Sequence, residues 1–192
     1  MEIIDIIDTF DKSKKPTGKM KDLKPEPGIY CFYLKQHANL DRFGQGGQAI
    51  YLGVSLDLNG REINQHLKTG ETGWSSFRRS IGAILKNRYK MTAERRDPPH
   101  VKKLRADKYK FDREGEVKIT DWIISSTDFA YWISPNLLIS KSELEKLELL
   151  LLKQVKPTLD LDRRTKHLNP LAADLDQLRK ICREEVRSKS LL

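Results

Sequence analysis

Apolar positions along the 192-residue chain change period several times, and each change marks an element. Gly28–Leu34 is aromatic and β-branched enough to read as a strand, and residues 48–54 read as a second. Between them Gly44-Gln45-Gly46-Gly47 supplies the permissive backbone of a reversing loop, so the two strands are expected to form an antiparallel hairpin with a long loop. Residues 57–67 carry helical spacing at Leu58, Ile63 and Leu67, and residues 75–88 repeat it at Phe77, Ile81, Ile84 and Leu85. A helical turn over 120–125 and a third strand over 129–134, ended by Pro135-Asn136, come next. A long helix starts at Ser140, where Ser140 and Glu143 have capping-box spacing, and runs to about Val155 before Pro157 stops it. Residues 174–187 form a final amphipathic helix.

Two stretches break this pattern. Residues 11–27 are polar, lysine-rich and closed by Pro25 and Pro27, which reads as a linker or arm leading into the first strand. Residues 92–115 are basic and carry Pro98-Pro99, which reads as an exposed insertion. The expected organisation is a helix or arm and linker over 1–26, a domain over 27–160 with a basic insertion at 89–113, and a C-terminal helical extension over 161–192 packed on it. No internal repeat or low-complexity segment is visible.

Composition narrows the partners. A hydrophobic fraction of 38% supports a real core. No apolar run approaches the roughly 20 residues that a membrane span needs, and the first ten residues lack the pattern of a secretory signal, so a cytoplasmic protein is expected. Cys31 and Cys182 lie far apart with no paired Cys or Cys/His spacing, which implies buried thiols rather than a disulfide framework or a zinc site. The net charge of +9 is concentrated: residues 78–113 hold 13 Lys/Arg against four Asp/Glu, and the remainder balances at 23 against 23. Clustered cations gain free energy by releasing counterions from a phosphate backbone, so a nucleic acid is the expected partner, with a solvated lysine-rich loop as the alternative. Ser76, Arg78 and Arg79, near a helix N-terminus, are candidate phosphate ligands, as are Lys86, Arg88, Arg95, Arg96, Lys102 and Lys103 in the basic segment. Of the three tryptophans, Trp122 and Trp132 are expected in the core and Trp74 on the surface.

Tyrosines on two strands, Tyr30 and Tyr51, say little alone, because aromatic residues in strands usually serve packing. Glu148 says more. It lies among Leu144, Leu147 and the run Leu149–Leu152 in a helix that is apolar nearly all round. A carboxylate there faces desolvation and calls for a cation, hydrogen bonds or protonation, unless it emerges on the solvent side beside Lys141 and Glu145.

The ordered residues Gly28-Ile29-Tyr30, Tyr51-Leu52-Gly53, Arg61, Glu148 and Lys156-Pro157-Thr158-Leu159-Asp160 resemble the motifs of GIY-YIG nucleases. The resemblance extends through residues 75–85, similar to a segment in a group of bacterial members, and weakly to His167-Leu168-Asn169-Pro170. It implies an α/β (α+β) fold, a small three-stranded antiparallel sheet flanked by helices, carrying a one-metal site for phosphodiester hydrolysis. Under the resemblance, Glu148 holds Mg²⁺ or Mn²⁺, Arg61 binds a nonbridging phosphate oxygen, and Tyr30 or Tyr51 helps deprotonate the attacking water. His66 is a candidate proton relay or phosphate contact, or else a partly exposed helix residue. Two departures stand out. Leu52 replaces the usual isoleucine, and Asp160 stands where many relatives have asparagine, as an accessory metal ligand or a local cap. The expected activity is that of a metal-dependent DNA endonuclease. A catalytically weak or inactive DNA-binding module is the alternative, and an RNA-directed role ranks below both.

Overall fold

A computed structural model describes residues 3–20, 23–60, 65–97 and 104–189 of the chain. Its centre is a four-stranded antiparallel sheet in the order β1-β6-β2-β3, built from β1 (Lys15–Pro16), β2 (Gly28–Leu34), β3 (Ala49–Ser55) and β6 (Thr127–Ile133). The hairpin expected between the first two long strands is present, with Tyr30 opposite Gly53 and Phe32 opposite Tyr51. Within the central sheet, β1, two residues paired with Asp128 and Phe129 of β6, is added to the expected three strands. It arises from the segment expected as a linker, where Thr17 is also buried against the Thr127 hydroxyl.

Side chains alternate across the pleat, so each strand feeds two separate cores. Ile29, Cys31, Leu52, Ala130 and Trp132 face a layer made by α1 (Ile3–Ser13) and α4 (Lys141–Val155). Tyr30, Phe32, Leu34 and Phe129 face the larger core beneath α2 (Ser76–Tyr89), α3 (Arg113–Ser126) and α5 (Ala172–Lys189). Helix α4 begins with the capping box expected at Ser140 and Glu143. Helix α3 is much longer than the turn expected over 120–125, because Asp112 caps it by accepting the Gly115 amide. Residues 57–60 and 65–67 lie within the described part of the helix expected over 57–67, and 65–67 are helical.

The basic insertion is corrected in part. Residues 98–103, including Lys102 and Lys103, lie outside the described residues, but the flanks are core. Ala93 of β4 (Ala93–Glu94) pairs with Phe111 of β5 (Lys110–Phe111), and Ala93, Tyr109 and Phe111 are buried. The alternation Tyr109-Lys110-Phe111 carries a strand signal that the local excess of lysine obscures. Both cysteines are buried and free, Trp122 and Trp132 are buried, and Trp74 stays 53% exposed. Among the described residues no helix is long and apolar enough to cross a membrane.

Candidate active site

On the α2 face of the hairpin, Tyr30, Tyr51 and His66 meet. The Tyr30 hydroxyl lies 2.8 Å from His66 Nε2, and His66 Nδ1 lies 2.6 Å from Ser75 Oγ. The Tyr51 ring packs against His66 with centroids 5.5 Å apart and against Phe77 at 5.0 Å. Gly53 makes room for this arrangement. It sits opposite Tyr30 in the ladder, and a Cβ there would stand 2.6 Å from the Tyr30 hydroxyl oxygen. The second motif thus needs glycine because the first needs tyrosine across the strand pair.

His66 is a buried residue rather than a partly exposed helix position. Burial pulls its pKa from 6.5 down to about 3, helped by the charges of Arg78 and Arg79, so the ring is neutral at physiological pH. Ser75 caps α2 by accepting the Arg78 amide at 3.0 Å. If the serine hydroxyl donates to Nδ1, its proton has an acceptor and the imidazole proton sits on Nε2, aimed at Tyr30. Ser75 was missed from sequence as a site residue. A cap position before α2 was its signal, but nothing local pairs it with a histidine nine residues earlier.

The depressed His66 pKa also predicts an acid sensitivity. Between pH 6.5 and about 3 the unfolded chain holds a proton on His66 that the folded chain lacks, so stability falls as pH falls through that window. At about pH 4.5 the expected loss is roughly 2–3 kcal/mol relative to neutrality. Urea unfolding of the wild type and His66→Gln at both pH values checks this: the variant should lose this part of the slope, and an unchanged slope would reject the assignment.

Arg78 is the main correction to the expected phosphate ligands. It is 0% exposed, and its guanidinium is spent inside the protein. Nε donates to Thr72 Oγ1, Nη1 to the His66 carbonyl at 3.2 Å, and Nη2 to the Glu116 carbonyl and carboxylate. It therefore fixes the backbone of His66 from behind instead of facing solvent. Lys86 pairs with Glu185, Arg88 with Asp41 and Arg96 with Asp97, so these three carry neighbouring carboxylates. Arg96 also lies over the Trp74 ring at 3.9 Å, and Arg95 is half-buried nearby in sequence. Ser76 and Arg79 lie at the start of α2, with Arg79 buried.

Glu148 lies in a second cluster at the edge of the sheet. On α4 it is four residues from Leu144 and Leu152 and three from Leu151, all buried, so helical geometry puts it on the inward stripe. Its side chain is 13% exposed, and Arg164 Nη2 is 3.8 Å away, too far for a direct hydrogen bond. Burial pushes the carboxyl up to about 7, with Arg164 pulling it down and Asp162 and Glu145 pushing it further up. Arg164, which also pairs with Glu145 and Asp162, had no local sequence signal.

The segment after α4 connects the two clusters. The Leu159 amide donates to the Ile50 carbonyl, and Asp160 Oδ2 accepts the Leu52 amide at 3.2 Å, so the backbone on both sides of Tyr51 is gripped along the open edge of β3. Asn169 Nδ2 donates to the carbonyls of Thr158 and Asp160 and holds this segment in place. Burial holds the Asp160 carboxyl well above the usual carboxylate range, opposed by the Leu52 amide and reinforced by Glu148 and Asp162. A protonated Asp160 still accepts from Leu52 and has the shape of the asparagine expected there. Its observed role is to cap the strand edge. Arg61 lies outside the described residues.

A divalent cation fits the donor set. The partly accessible Glu148 carboxylate is desolvated and weakly paired, with Asp162 and Glu145 adding to the negative charge around it. Among the described residues no three His, Cys, Asp or Glu side chains cluster as metal ligands, so a hard cation that keeps most of its waters suits the site better than one needing several protein ligands.

The family model described as the GIY-YIG catalytic domain matches residues 28–181, from the first glycine of β2 into α5. Neither a curated protein nor a solved structure shows significant similarity to the chain.

Proposed function

The chain belongs to the GIY-YIG catalytic-domain family, whose domain is of nuclease type and acts on nucleic acid, and from that premise we propose that it is a metal-dependent DNA endonuclease of the cytoplasm. The observation that carries the reading is the buried chain of contacts from Tyr30 through neutral His66 to Ser75. Tyrosines that served packing alone would not need a desolvated histidine aimed at the hydroxyl.

In this reading the substrate phosphodiester lies between the Tyr30 hydroxyl and Glu148. With its proton on Nε2, His66 donates to the Tyr30 oxygen; a Tyr30 phenolate, its phenolic proton already released to solvent, would take a proton from the attacking water and become the neutral phenol. Because His66 stays neutral, it donates this hydrogen bond without adding a charge of its own. Arg78 keeps the His66 carbonyl fixed, and Asp160 with Leu159 keeps Tyr51 fixed, so neither ring has to reorganise as the substrate binds. Glu148 would hold Mg²⁺ or Mn²⁺, which polarises the phosphate and stabilises the leaving oxygen when bound. Arg61 is assigned to the nonbridging oxygen by its place in the motif order.

Incubation of the purified protein with supercoiled plasmid tests the reading. Cleavage is expected with Mg²⁺ or Mn²⁺, none with excess EDTA, and a lower rate for Tyr30→Phe by about 10²-fold or more. Competition with an RNA duplex should leave plasmid cleavage nearly unchanged. Plasmid that stays intact with either metal while still being bound in a salt-sensitive way would replace this reading with that of a DNA-binding module.

A further inference from the structure

Three cations, Arg79, Arg179 and Lys108, crowd the start of α2. Arg79 is 4% exposed and Arg179, reaching over from α5, is 8% exposed. Arg79 Nη1 donates to the carbonyls of Thr72 and Gly73, and Arg179 Nη1 donates to Ser76 Oγ at 3.3 Å, so both guanidinium groups converge on the turn that opens the helix. Among the described residues, each leaves a buried Nε with no hydrogen-bond partner. Lys108, half-buried, completes the group. Among the described residues none of the three makes an ion pair, although comparable buried arginines are normally paired.

The electrostatics are unfavourable as they stand. Burial and, after it, the Arg179 charge lower Arg79 to about 10, against weaker support from Tyr109, Tyr51 and the exposed Asp107. Burial also lowers Lys108, with Arg79, Arg105 and Arg179 adding to the effect and Asp107 opposing it. The first amides of α2 add partial positive charge at the same place. Gly73 permits the crowding, since a Cβ there would stand 2.9 Å from the Lys108 carbonyl oxygen and 2.6 Å from Arg96 Cγ. Two buried Nε–H groups without acceptors among the described residues, surrounded by like charges, suit an anion.

We propose that Ser76 at the start of α2, together with Arg79, Arg179 and Lys108, forms a pocket for a phosphate group of the nucleic-acid substrate, beside the Tyr51 side of the active site. This rests on the nuclease reading for the identity of the ligand, and it gives α5 a direct part in substrate binding. A phosphate provides the acceptors that both Nε–H groups lack and neutralises the cations at once. Tyr51 packs against Phe77, the residue after Ser76 in the first turn of α2, at 5.0 Å between ring centroids, so the pocket lies next to the hairpin and the phosphate held there flanks the one to be cut. Arg79 was a candidate phosphate ligand from sequence. Arg179 and Lys108 come from the fold alone.

The experiment uses the full chain without divalent metal, so that substrate stays uncut. Thermal unfolding is followed with inorganic phosphate or chloride at equal ionic strength, for the wild type, Arg179→Met and Lys108→Gln. Phosphate should raise the wild-type Tm and have little effect on Arg179→Met, whose Tm without phosphate should equal or exceed that of the wild type because a repulsion has been removed. Binding of a short DNA duplex should weaken about tenfold in Arg179→Met, with the log–log salt slope smaller by about one. Lys108→Gln, nearer the surface, should show the same loss in milder form, and it decides the matter if Arg179→Met does not fold. Duplexes with and without a 5′-phosphate separate the sources. Equal losses assign the pocket to a backbone phosphodiester, and a loss confined to the phosphorylated duplex assigns it to a strand end. An Arg179→Met protein with lowered Tm, unchanged duplex binding and an intact phosphate response would overturn the pocket. The phosphate-induced Tm shift does not depend on cleavage, so failure of the nuclease reading and failure of the pocket give different results.

Discussion

Glu116→Ala is expected to destabilise the protein by about 3–5 kcal/mol, lowering Tm by roughly 10 °C, the largest stability effect of any single polar substitution described here. Glu116 is the hub of the buried polar network behind the active site. One carboxylate oxygen accepts from the Gly70 amide, the Thr72 hydroxyl and Arg78 Nη2, and the other from the Phe111 amide. Truncation leaves the fully buried Arg78 without a counterion, and burial already disfavours its charge. The same change frees the turn at 70–72 and the carbonyl grip on His66, so activity at permissive temperature should fall together with stability. Arg78→Met is the informative partner. It removes the charge and fills similar space, so it should cost less than Glu116→Ala, and combining the two should be clearly less than additive. Equal, additive losses in a double-mutant cycle by urea unfolding would mean that the pair does not act as a unit.

Glu148→Ala is expected to lower plasmid cleavage by at least about 10³-fold, because the carboxylate would hold the cation that stabilises the leaving oxygen. Stability should move the other way. The folded carboxyl titrates at about 7 against 4.5 when unfolded, so the folded state binds more protons between those values. The contribution of Glu148 is therefore favourable at low pH and is lost as pH rises through about 7. Above that value Glu148→Ala should be at least as stable as the wild type, while metal binding should stabilise only the wild type and release a proton near neutrality. Cleavage should accordingly rise with pH across about 6–8. Cleavage by Glu148→Ala at the wild-type rate would remove Glu148 from the metal site. These effects are opposite in sign to that of His66, so the acid loss assigned to His66 is best measured in both backgrounds.

Much of the architecture can be read from local pattern. The hairpin of β2 and β3 follows from two aromatic and β-branched runs flanking a glycine-rich loop. Helix α4 follows from the capping box at Ser140 and the proline that ends it, and α2 and α5 from their apolar periodicity. What local pattern misplaced were segments whose burial depends on distant partners. Residues 109–111 look like a basic loop until Glu116 takes the Phe111 amide and α2 covers the aromatic rings. Residues 15–17 look like a linker until β6 offers an edge and Thr127 a hydroxyl.

Among site residues the division follows chemistry. Sequence determined which side chains are available: two tyrosines on paired strands, a histidine on the segment after them, and a carboxylate inside an apolar helical stripe. It also determined their order, and that order identifies the family. It could not distinguish Arg78 from Arg79, adjacent cations of equal propensity. A helix turns by about 100° per residue, and only the packed structure decides that Arg78 meets Glu116 while Arg79 meets Arg179. Nor could it say that Asp160 caps a strand edge, since that depends on the Leu52 amide more than a hundred residues away. The charge of a group is written in the sequence, but its desolvation and its partners are properties of position in space. The tertiary structure alone therefore decided which of these cations are internal struts, which carboxylate is left short of a counterion, and which guanidinium Nε–H groups meet no acceptor among the described residues.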